Sequence, residues 1–239
     1  MNKISATVVA DSINPQGDRL TSLLITFPRI LLSEINTHRM LSKNTSSSRA
    51  IPFNKMVEAV QNDPFIPIAW QKEHKGMQGT DYFTDMDNDI PHLNRMWLSA
   101  RDNAVNSAKY LNLVFENEDG SIEGVTKQLC NRLLEPFMWT TMLITGSKEG
   151  WQNFFNLRCP SYKLIGLGKE NVKSRKEWLE KMQFSSALHP SMYPKTDVEW
   201  LQINRGQAEI HMMELSEKIY DSMNESTPKQ LQAGEWHIP

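Results

Sequence analysis

The 239-residue sequence predicts an α+β fold in which a mixed or antiparallel β-sheet packs against helices. Near the N-terminus, two stretches alternate apolar and polar residues on either side of a turn, which is typical of paired strands. Most of the remaining chain shows the apolar period of amphipathic helices. The sequence contains neither an internal repeat nor a linker, so we expect a single domain over residues 1–239, with an irregular insertion at about 159–204.

Three strands are predicted. Lys3–Ala10 and Leu20–Phe27 are the two alternating stretches, and the intervening DSINPQGD is rich in turn-forming residues, so a hairpin or meander is expected. The run FMWTTMLIT, at 137–145, is almost continuously apolar and contains β-branched and aromatic residues. It is therefore expected to be a buried strand.

Helices are predicted in six places outside the insertion, and within it the charge-alternating stretch KENVKSRKEWLEK, at 169–181, is predicted as a solvated helix face. The first follows Pro28, whose missing N–H costs nothing in a first turn, and it delivers His38 near its C-terminal end. The helix at Ser121–Leu134 is expected to turn Leu129 and Leu133 inward. The others are expected at Lys55–Val60, Pro91–Val114 and Ser147–Arg158, and from Ala208 to a point before Pro228, with a long loop at Asp63–His92.

Charge and cysteine content exclude several function classes. The net charge is −2, so the chain lacks the basic footprint of a general nucleic-acid binder. Its apolar runs fall short of the roughly 18 residues of a membrane span, and the N-terminus lacks a secretory signal, so a cytoplasmic location is expected. Cys130 and Cys159 are too few for a disulfide framework or a zinc site, and both are expected to be buried free thiols.

The densest polar cluster is the stretch NTHRMLSKNTSSSRAIP, at 36–52, which is predicted as a helix running into a loop. Arginine donates two parallel hydrogen bonds to phosphate, and serine hydroxyls add neutral donors around the same oxygens. The SSSR segment that ends at Arg49 is therefore a candidate phosphate cradle. A polar loop with an arginine at its rim explains the same composition, and the residues alone do not decide between the two.

The spacing within this stretch resembles a known signature. Six residues fill the pattern H-R-x-x-S-x-N-x-x-S-x-R, namely His38, Arg39, Ser42, Asn44, Ser47 and Arg49. This pattern is similar to R-H-R-x-x-S-x-N-x-x-S-x-R-Y, the signature of the flavin-dependent thymidylate synthases. Other stretches resemble that family's motifs in the same order: RLT at 19–21, NRLLEP at 131–136 (similar to A-R-x-x-L-P), NFFNLR at 153–158 and GQAEI at 206–210. The final GEWHIP resembles the ending of phage-borne members.

The resemblance implies a set of ligand contacts. The residues implied at the flavin are Thr21, His38, Arg39, Asn44 and Asn153. Those implied at the phosphate of deoxyuridine monophosphate (dUMP) are Ser47, Ser48, Arg49 and Arg132, with Arg132 arriving from another subunit. Arg158 is implied at the uracil, both as a substrate contact and as the catalytic group, because a fixed cation there stabilises negative charge on the activated ring.

The implied activity is that of a thymidylate synthase that uses flavin adenine dinucleotide (FAD). In such a reaction, dUMP is reductively methylated to dTMP, methylenetetrahydrofolate donates the carbon, and NADPH is the reductant. No enzyme nucleophile attacks the ring. The resemblance also implies a homotetramer whose active sites are shared between subunits, in the host cytoplasm if the protein is viral.

Several positions depart from the signature and leave alternatives open. Thr37 stands where the family has its first arginine, Ala50 replaces the closing tyrosine, and Glu149 falls where many members carry an arginine. Between Arg158 and Gln207 lie 48 residues, where the family has a short connection. The alternatives are a related enzyme that leaves a hydroxymethyl group at C5 of the pyrimidine, and a nucleotide-binding relative without turnover.

Ordinary structural roles are also open for several of these residues: His38 fits a hydrogen-bonded core or surface histidine, and Asn153 fits a helix-surface amide. Arg132 fits a salt bridge to Glu135 or Glu123, and Arg158 fits a helix-end cation paired with a carboxylate. Gln207 fits a hydrogen bond at the start of the last helix. The ion pairs that the two arginines form in the folded chain bear directly on the choice between these roles.

Overall fold

The structure is a computed structural model. It describes residues 3–75, 79, 81–84, 89–113, 115–165, 171–182, 189–204 and 208–239. Over these ranges, every helix is either too short or too polar to cross a membrane. The same ranges contain no group of three or more His, Cys, Asp or Glu side chains placed to hold a metal ion.

A five-stranded sheet forms the centre of the described structure. In chain order the strands are β1 (Ser5–Ile13), β2 (Arg19–Pro28), β3 (Leu41–Thr45), β4 (Phe115–Glu116), β5 (Ile122–Glu123), β6 (Trp139–Ser147), β7 (Tyr162–Lys163), β8 (Asn171–Val172) and β9 (Lys229–Gln230). The central sheet has the order β3-β6-β2-β1-β9. Its four longer strands are antiparallel neighbours, and β9 runs parallel to β1, so the sheet is mixed.

Helices pack beside this mixed sheet, so the predicted α+β fold class is confirmed. The α-helices in the described residues are α1 (Leu32–Asn36), α2 (Phe53–Asn62), α3 (Ile90–Asn112), α4 (Lys127–Cys130), α5 (Lys148–Arg158), α6 (Arg175–Met182), α7 (Asp197–Gln202) and α8 (Ile210–Glu225). A 3-10 helix at Asn131–Phe137, the 131–137 segment, continues α4 directly. The predictions for α1, α2, α3, α5 and α8 are confirmed to within a few residues. Gln207 lies outside the described residues.

One strand was predicted wrongly as loop. β3 pairs antiparallel with β6, with Leu41 opposite Gly146 and Thr45 opposite Met142. Within β3 only Leu41 is buried, and the other four residues are polar. An edge strand with so few buried positions lacks the apolar alternation by which strands are recognised. The predictions for β1, β2 and β6 are confirmed; β2 and β6 bury apolar side chains, and β1 packs the partly buried Ala6 and Val8 against the same core.

The predicted helix at Ser121–Leu134 was wrong in both extent and orientation. The helical part begins only at α4 and continues as the 131–137 segment. Leu129 and Leu133, predicted to point inward, are 60% and 40% exposed. Leu134 and Phe137 are buried instead, because the 3-10 spacing of three residues per turn replaces the expected helical period.

The main hydrophobic core lies between one face of the sheet and the helices α5 and α8. Ile25 of β2 and Ile144 of β6 are buried in one cluster with Phe154 of α5 and Leu215 of α8. Burying each such side chain stabilises the fold by about 1.5–3 kcal/mol. Because α5 belongs to this core, its last residue, Arg158, is held in a fixed relation to the sheet.

The predicted insertion has a hydrophobic cluster of its own. Tyr162, Trp178 of α6 and Trp200 of α7 are buried within it. The Tyr162 hydroxyl donates to Glu217 of α8 at 3.2 Å, which joins this cluster to the helix that covers the sheet. The insertion therefore has a core of its own, and the hydrogen bond between Tyr162 and Glu217 connects it to the rest of the chain.

Both cysteines are buried and free, as predicted. Burial raises the pKa of Cys159 to about 12, and it also raises the pKa of Cys130. A thiol with a raised pKa stays protonated at neutral pH and is a poor nucleophile. Neither cysteine is thus prepared to attack a substrate.

Candidate functional site

Arg158 is positioned by the junction between β6 and α5. Ser147 caps α5, and its hydroxyl accepts a hydrogen bond from the Gly150 N–H at 3.3 Å. A Cβ atom at Gly150 would lie 3.1 Å from the carbonyl oxygen of Met40. Glycine therefore lets the residues before β3 come close to the start of α5. The helix then ends at Arg158, beside His38.

Arg158 is held by two residues from the α1–β3 region. Its Nε donates to Nε2 of His38 at 2.8 Å, and its guanidinium forms an ion pair with Glu34. Because a guanidinium can only donate, Nε2 of His38 is the acceptor and the ring proton resides on Nδ1. The carboxylate partner considered for Arg158 is thus present. The Arg158 side chain is still 20% exposed, so a ligand can reach it.

His38 is a fixed and neutral residue. It is buried, its ring packs edge-on against Phe154 with centroids 4.9 Å apart, and Lys43 donates to its carbonyl oxygen. Burial, together with the nearby charges of Arg158 and Lys43, lowers the pKa of His38 to about 4. At neutral pH, His38 therefore acts as a hydrogen-bond acceptor. We refer to Glu34, His38, Lys43 and Arg158 as the arginine–histidine cluster.

The hydroxyl-rich turn, Ser47–Ala50, follows β3. The Ala50 N–H donates to the carbonyl oxygen of Ser47 at 3.0 Å, and the Arg49 N–H donates to the Ser47 hydroxyl at 3.3 Å. Ser47 and Arg49 are exposed. Ser48 is buried, and its hydroxyl donates to a carboxylate oxygen of Glu135. The Ser47 and Arg49 side chains are thus accessible to a phosphate, whereas the Ser48 hydroxyl already has a partner.

Arg132 lies on the chain segment that packs against this turn. Gln128, one helical turn earlier, accepts a hydrogen bond from Nε of Arg49 at 3.0 Å. Arg132 is exposed and forms no ion pair within the described ranges. Glu135 pairs instead with Arg29, whose Nε lies 3.3 Å from the carboxylate. The salt bridge considered between Arg132 and Glu135 is therefore not formed.

A groove of about 450 Å³ lies between the α1 region and the 131–137 segment. It is lined by two arginines, one carboxylate and several smaller side chains: Arg29, Ile30, Leu32, Ser33, Asn36, Arg132, Glu135 and Pro136. Arg29 also donates to the carbonyl oxygen of Ser46 at 3.4 Å, just before the hydroxyl-rich turn. Arg29 therefore connects the groove with the turn.

The other residues implied at the flavin lie on separate elements. Thr21 is buried on β2, and its hydroxyl donates to Asp11 at 3.0 Å. Thr21 is in register with Gly146, and Gly146 with Leu41, so Thr21 lies about 10 Å, or two strands, from the start of β3. The other three are exposed, namely Arg39 before β3, Asn44 on β3 and Asn153 on α5.

The chain gathers its predicted site residues into two groups. His38 and Arg158 meet before β3, whereas Ser47 and Arg49 follow the strand and contact the region that carries Arg132. The five residues of β3 span about 13 Å. A ligand that touches both groups within one chain must therefore extend along this strand.

The structure also adds residues that the sequence analysis did not predict. Glu34 and Lys43 hold the arginine–histidine cluster, and Arg29 and Asn131 hold the hydroxyl-rich turn. Glu34 lies in the helix that was predicted to deliver His38, and no other local signal pointed to its ion pair with Arg158. The others depend on contacts between distant segments.

The fold is shared with a solved nucleotide methylase. The UMP/dUMP methylase PolB from Streptomyces cacaoi, bound with 5-Br UMP, matches 93% of this chain and 89% of its own, at 12% sequence identity and a TM-score of 0.57. This match confirms the fold that the motif resemblance implied. The flavin-dependent thymidylate synthase ThyX from Helicobacter pylori, complexed with FAD and dUMP, has a TM-score of only 0.40, with 14% identity over 85% of this chain and 67% of its own. No family model and no curated protein matches the sequence.

Proposed function

We propose that the protein is an FAD-dependent thymidylate synthase, which reductively methylates dUMP at C5 to give dTMP. The observation that carries the proposal is the pair of groups at the two ends of β3. At one end Arg158 is fixed by His38 and Glu34, and at the other the hydroxyl-rich turn exposes Ser47 and Arg49. The motif resemblance assigns these groups to the base and the phosphate of dUMP, and the fold shared with a UMP/dUMP methylase supports the same substrate class.

The phosphate would bind at the exposed side of the hydroxyl-rich turn. Arg49 is bonded to the neutral amide of Gln128, and Arg132 has no ion-pair partner in the part of the chain that the structure describes. Both guanidinium groups therefore keep their charge available for a phosphate dianion, and the Ser47 hydroxyl adds a neutral donor. Ser48 would contribute through its main chain, because its buried hydroxyl donates elsewhere.

The uracil would lie against Arg158. The guanidinium would donate to a carbonyl oxygen of the base and stabilise the negative charge that develops on the ring when C5 is activated. Because His38 accepts from one nitrogen and Glu34 pairs with another, the guanidinium is oriented before the substrate binds. Less reorganisation is then needed in the transition state.

The flavin would be bound by polar side chains that are exposed in the single chain. Arg39, Asn44 and Asn153 fit this role, and the buried His38 would form part of the wall. Thr21 fits it less well, because its hydroxyl donates to a carboxylate within the fold. When bound, FAD would first be reduced by NADPH and would then supply the hydride, with methylenetetrahydrofolate as the one-carbon donor.

The active sites would be shared within a homotetramer. Leu129 and Leu133 flank Arg132 along the chain and are 60% and 40% exposed. Together they would form part of an apolar patch that a neighbouring subunit covers. Arg132 would then reach the nucleotide of the neighbouring subunit.

The chain would act as one cytoplasmic domain, with the insertion at about 159–204 covering the active site or the subunit interface.

The proposal is tested by an absorbance spectrum and a tritium-release assay. Purified protein, supplied with FAD if needed, is expected to show oxidised-flavin bands at about 375 and 450 nm, since these belong to the chromophore. It should release tritium from C5-labelled dUMP when NADPH and methylenetetrahydrofolate are present. The matched variant Arg158→Lys keeps the charge but loses the planar donor geometry, and it should retain the flavin while releasing tritium at least about 100-fold more slowly. Protein that binds no FAD and releases no tritium would end the proposal.

A different product at C5 is the second candidate. Glu149 is exposed in the first turn of α5, where it places a carboxylate at a position that carries an arginine in many members of the resembled family. A carboxylate in place of a cation changes the charge of the proposed active site and can change which group is left at C5. Mass spectrometry of the products from dUMP, and from UMP as a second substrate, separates a methyl from a hydroxymethyl group. Binding of dUMP without NADPH oxidation would favour a relative without turnover.

A further inference from the structure

The hydroxyl-rich turn has few bonds of its own. They are the two hydrogen bonds that Ser47 accepts from the Ala50 and Arg49 N–H groups, at 3.0 and 3.3 Å. The second is long for an N–H···O hydrogen bond. Exposed loop segments are mobile unless a rigid scaffold positions them. The conformation that presents Ser47 and Arg49 must therefore be set from outside the turn.

Asn131 supplies the main contact from outside. Its Nδ2 donates to the carbonyl oxygen of Ser48 at 2.7 Å and to that of Ile51 at 2.9 Å. These carbonyls stand on the two sides of Arg49, so a single amide group fixes the backbone before and after the arginine. Asn131 is 0% exposed, so water does not compete for either hydrogen bond.

Glu135 holds the same turn through the side chain of Ser48. Its carboxylate accepts a hydrogen bond from the Ser48 hydroxyl and pairs with Arg29, whose Nε lies 3.3 Å away. The Arg29 charge offsets a carboxylate that would otherwise repel a phosphate bound nearby. Asn131 thus fixes the main chain of the turn, and Glu135 fixes the Ser48 side chain.

The motif that this segment resembles does not account for either residue. In A-R-x-x-L-P, an alanine and a leucine stand where this chain has Asn131 and Glu135. Burying an amide or a carboxylate costs free energy unless its polar atoms are paired. The Nδ2 group of Asn131 is paired with Ser48 of the hydroxyl-rich turn and with Ile51 directly after it, whereas its buried Oδ1 has no hydrogen-bond partner among the described residues. The carboxylate of Glu135 is paired with Ser48 and with Arg29.

We propose that Asn131 is a positioning residue that holds the hydroxyl-rich turn in the conformation that binds phosphate, with Glu135 supporting it. The inference rests on the proposed function, because it takes the phosphate of dUMP to be the ligand of the turn. Asn131 acts through the turn and does not touch the nucleotide. Its loss therefore weakens recognition of the phosphate and leaves recognition of the base intact.

The test compares dUMP with deoxyuridine, which lacks the phosphate, by isothermal titration calorimetry. Asn131→Asp keeps the size of the side chain but removes both N–H donors that face the two carbonyls. It is expected to weaken dUMP binding at least about tenfold, equal to about 1.4 kcal/mol, while deoxyuridine affinity stays within about twofold. Asn131→Ala should act in the same direction without adding a charge. Asn112→Asp likewise removes an amide donation to a main-chain carbonyl, that of Val125 at 3.2 Å, and is the control that should alter neither affinity.

The outcomes separate this inference from the proposed function. Wild-type protein that does not prefer dUMP over deoxyuridine would overturn the proposed function, and the inference with it. If wild-type protein shows that preference and both Asn131 variants retain it, only the inference is overturned. An equal loss of affinity for the two ligands, or a failure of both variants to fold, would show that Asn131 serves the fold in general and would also overturn it.

Discussion

Protonation of His38 is expected to destabilise the protein in mild acid. In the folded state its Nε2 accepts a hydrogen bond from Arg158, so a proton there removes the bond and places two cations in contact. Its pKa falls from the ordinary 6.5 to about 4 on folding. Between these values the unfolded chain binds a proton that the folded protein does not, so stability falls as the pH is lowered from about 6.5 to about 4. This difference in the pKa of His38 corresponds to a loss of at most about 3 kcal/mol in the free energy of unfolding.

Equilibrium urea unfolding of wild-type protein and of His38→Gln, followed by tryptophan fluorescence, measures this contribution. Glutamine keeps an oxygen acceptor for Arg158 but does not titrate. Between about pH 7.5 and about pH 4.5, wild-type protein should lose about 2 kcal/mol more stability than the variant. Other groups titrate in the same range. Burial raises the pKa of Glu217 to about 7, which acts in the opposite direction, so the difference between the two proteins isolates His38.

The result that would refute this reasoning is an equal dependence on pH in the two proteins. It would mean that His38 takes up a proton in the folded state as readily as in the unfolded chain. The hydrogen bond from Arg158 Nε would then not persist in solution. A steeper loss in His38→Gln would contradict the sign of the effect itself.

Three further predictions follow from the charges and exposures of single residues. Because burial raises the pKa of Glu217 from 4.5 to about 7, this group by itself should lower stability as the pH rises from 4.5 to about 7, opposite to the contribution of His38. Glu217→Gln should remove this contribution in urea titrations, and an unchanged pH dependence would contradict it. Arg132→Ala should weaken dUMP binding about tenfold or more with little change in Tm, whereas Arg95→Ala, at an exposed site on α3, should change neither, as titration calorimetry and thermal melting will show. Leu129→Asp should reduce the assembled mass in light scattering, and an unaltered mass would remove Leu129 from the interface.

The parts of the fold that could be predicted from the sequence are those in which burial imposes an apolar pattern. β2 and β6 bury apolar side chains, β1 packs the partly buried Ala6 and Val8 against the same core, and the boundaries of all three were predicted to within a few residues. β3 could not be found in this way, because Leu41 is its only buried residue. The 131–137 segment was misassigned for another reason: its 3-10 turns shift the buried positions to Leu134 and Phe137.

The residues of the candidate site that belong to a motif could be predicted from the sequence. The hydrogen bonds and ion pairs between distant segments could not. The motif supplied His38 and Arg158, but the hydrogen bond between them joins residues 120 positions apart. The donation from Asn131 to Ser48 likewise spans 83 positions. Local spacing does not encode such contacts, because they depend on how β3 is registered against β6 and on how α4 and the 131–137 segment pack beside it.

The polarity of β3 has a consequence for solubility. β3 lies at one edge of the described sheet and has a hydrogen-bonded neighbour, β6, on one side only. Part of its backbone can therefore accept a further strand. Lysine and other polar side chains on such a strand discourage uncontrolled strand addition, and Ser42, Lys43 and Asn44 provide them here. The composition that concealed the strand from sequence analysis is thus also a safeguard against aggregation, and replacing these residues by valine or isoleucine would remove it.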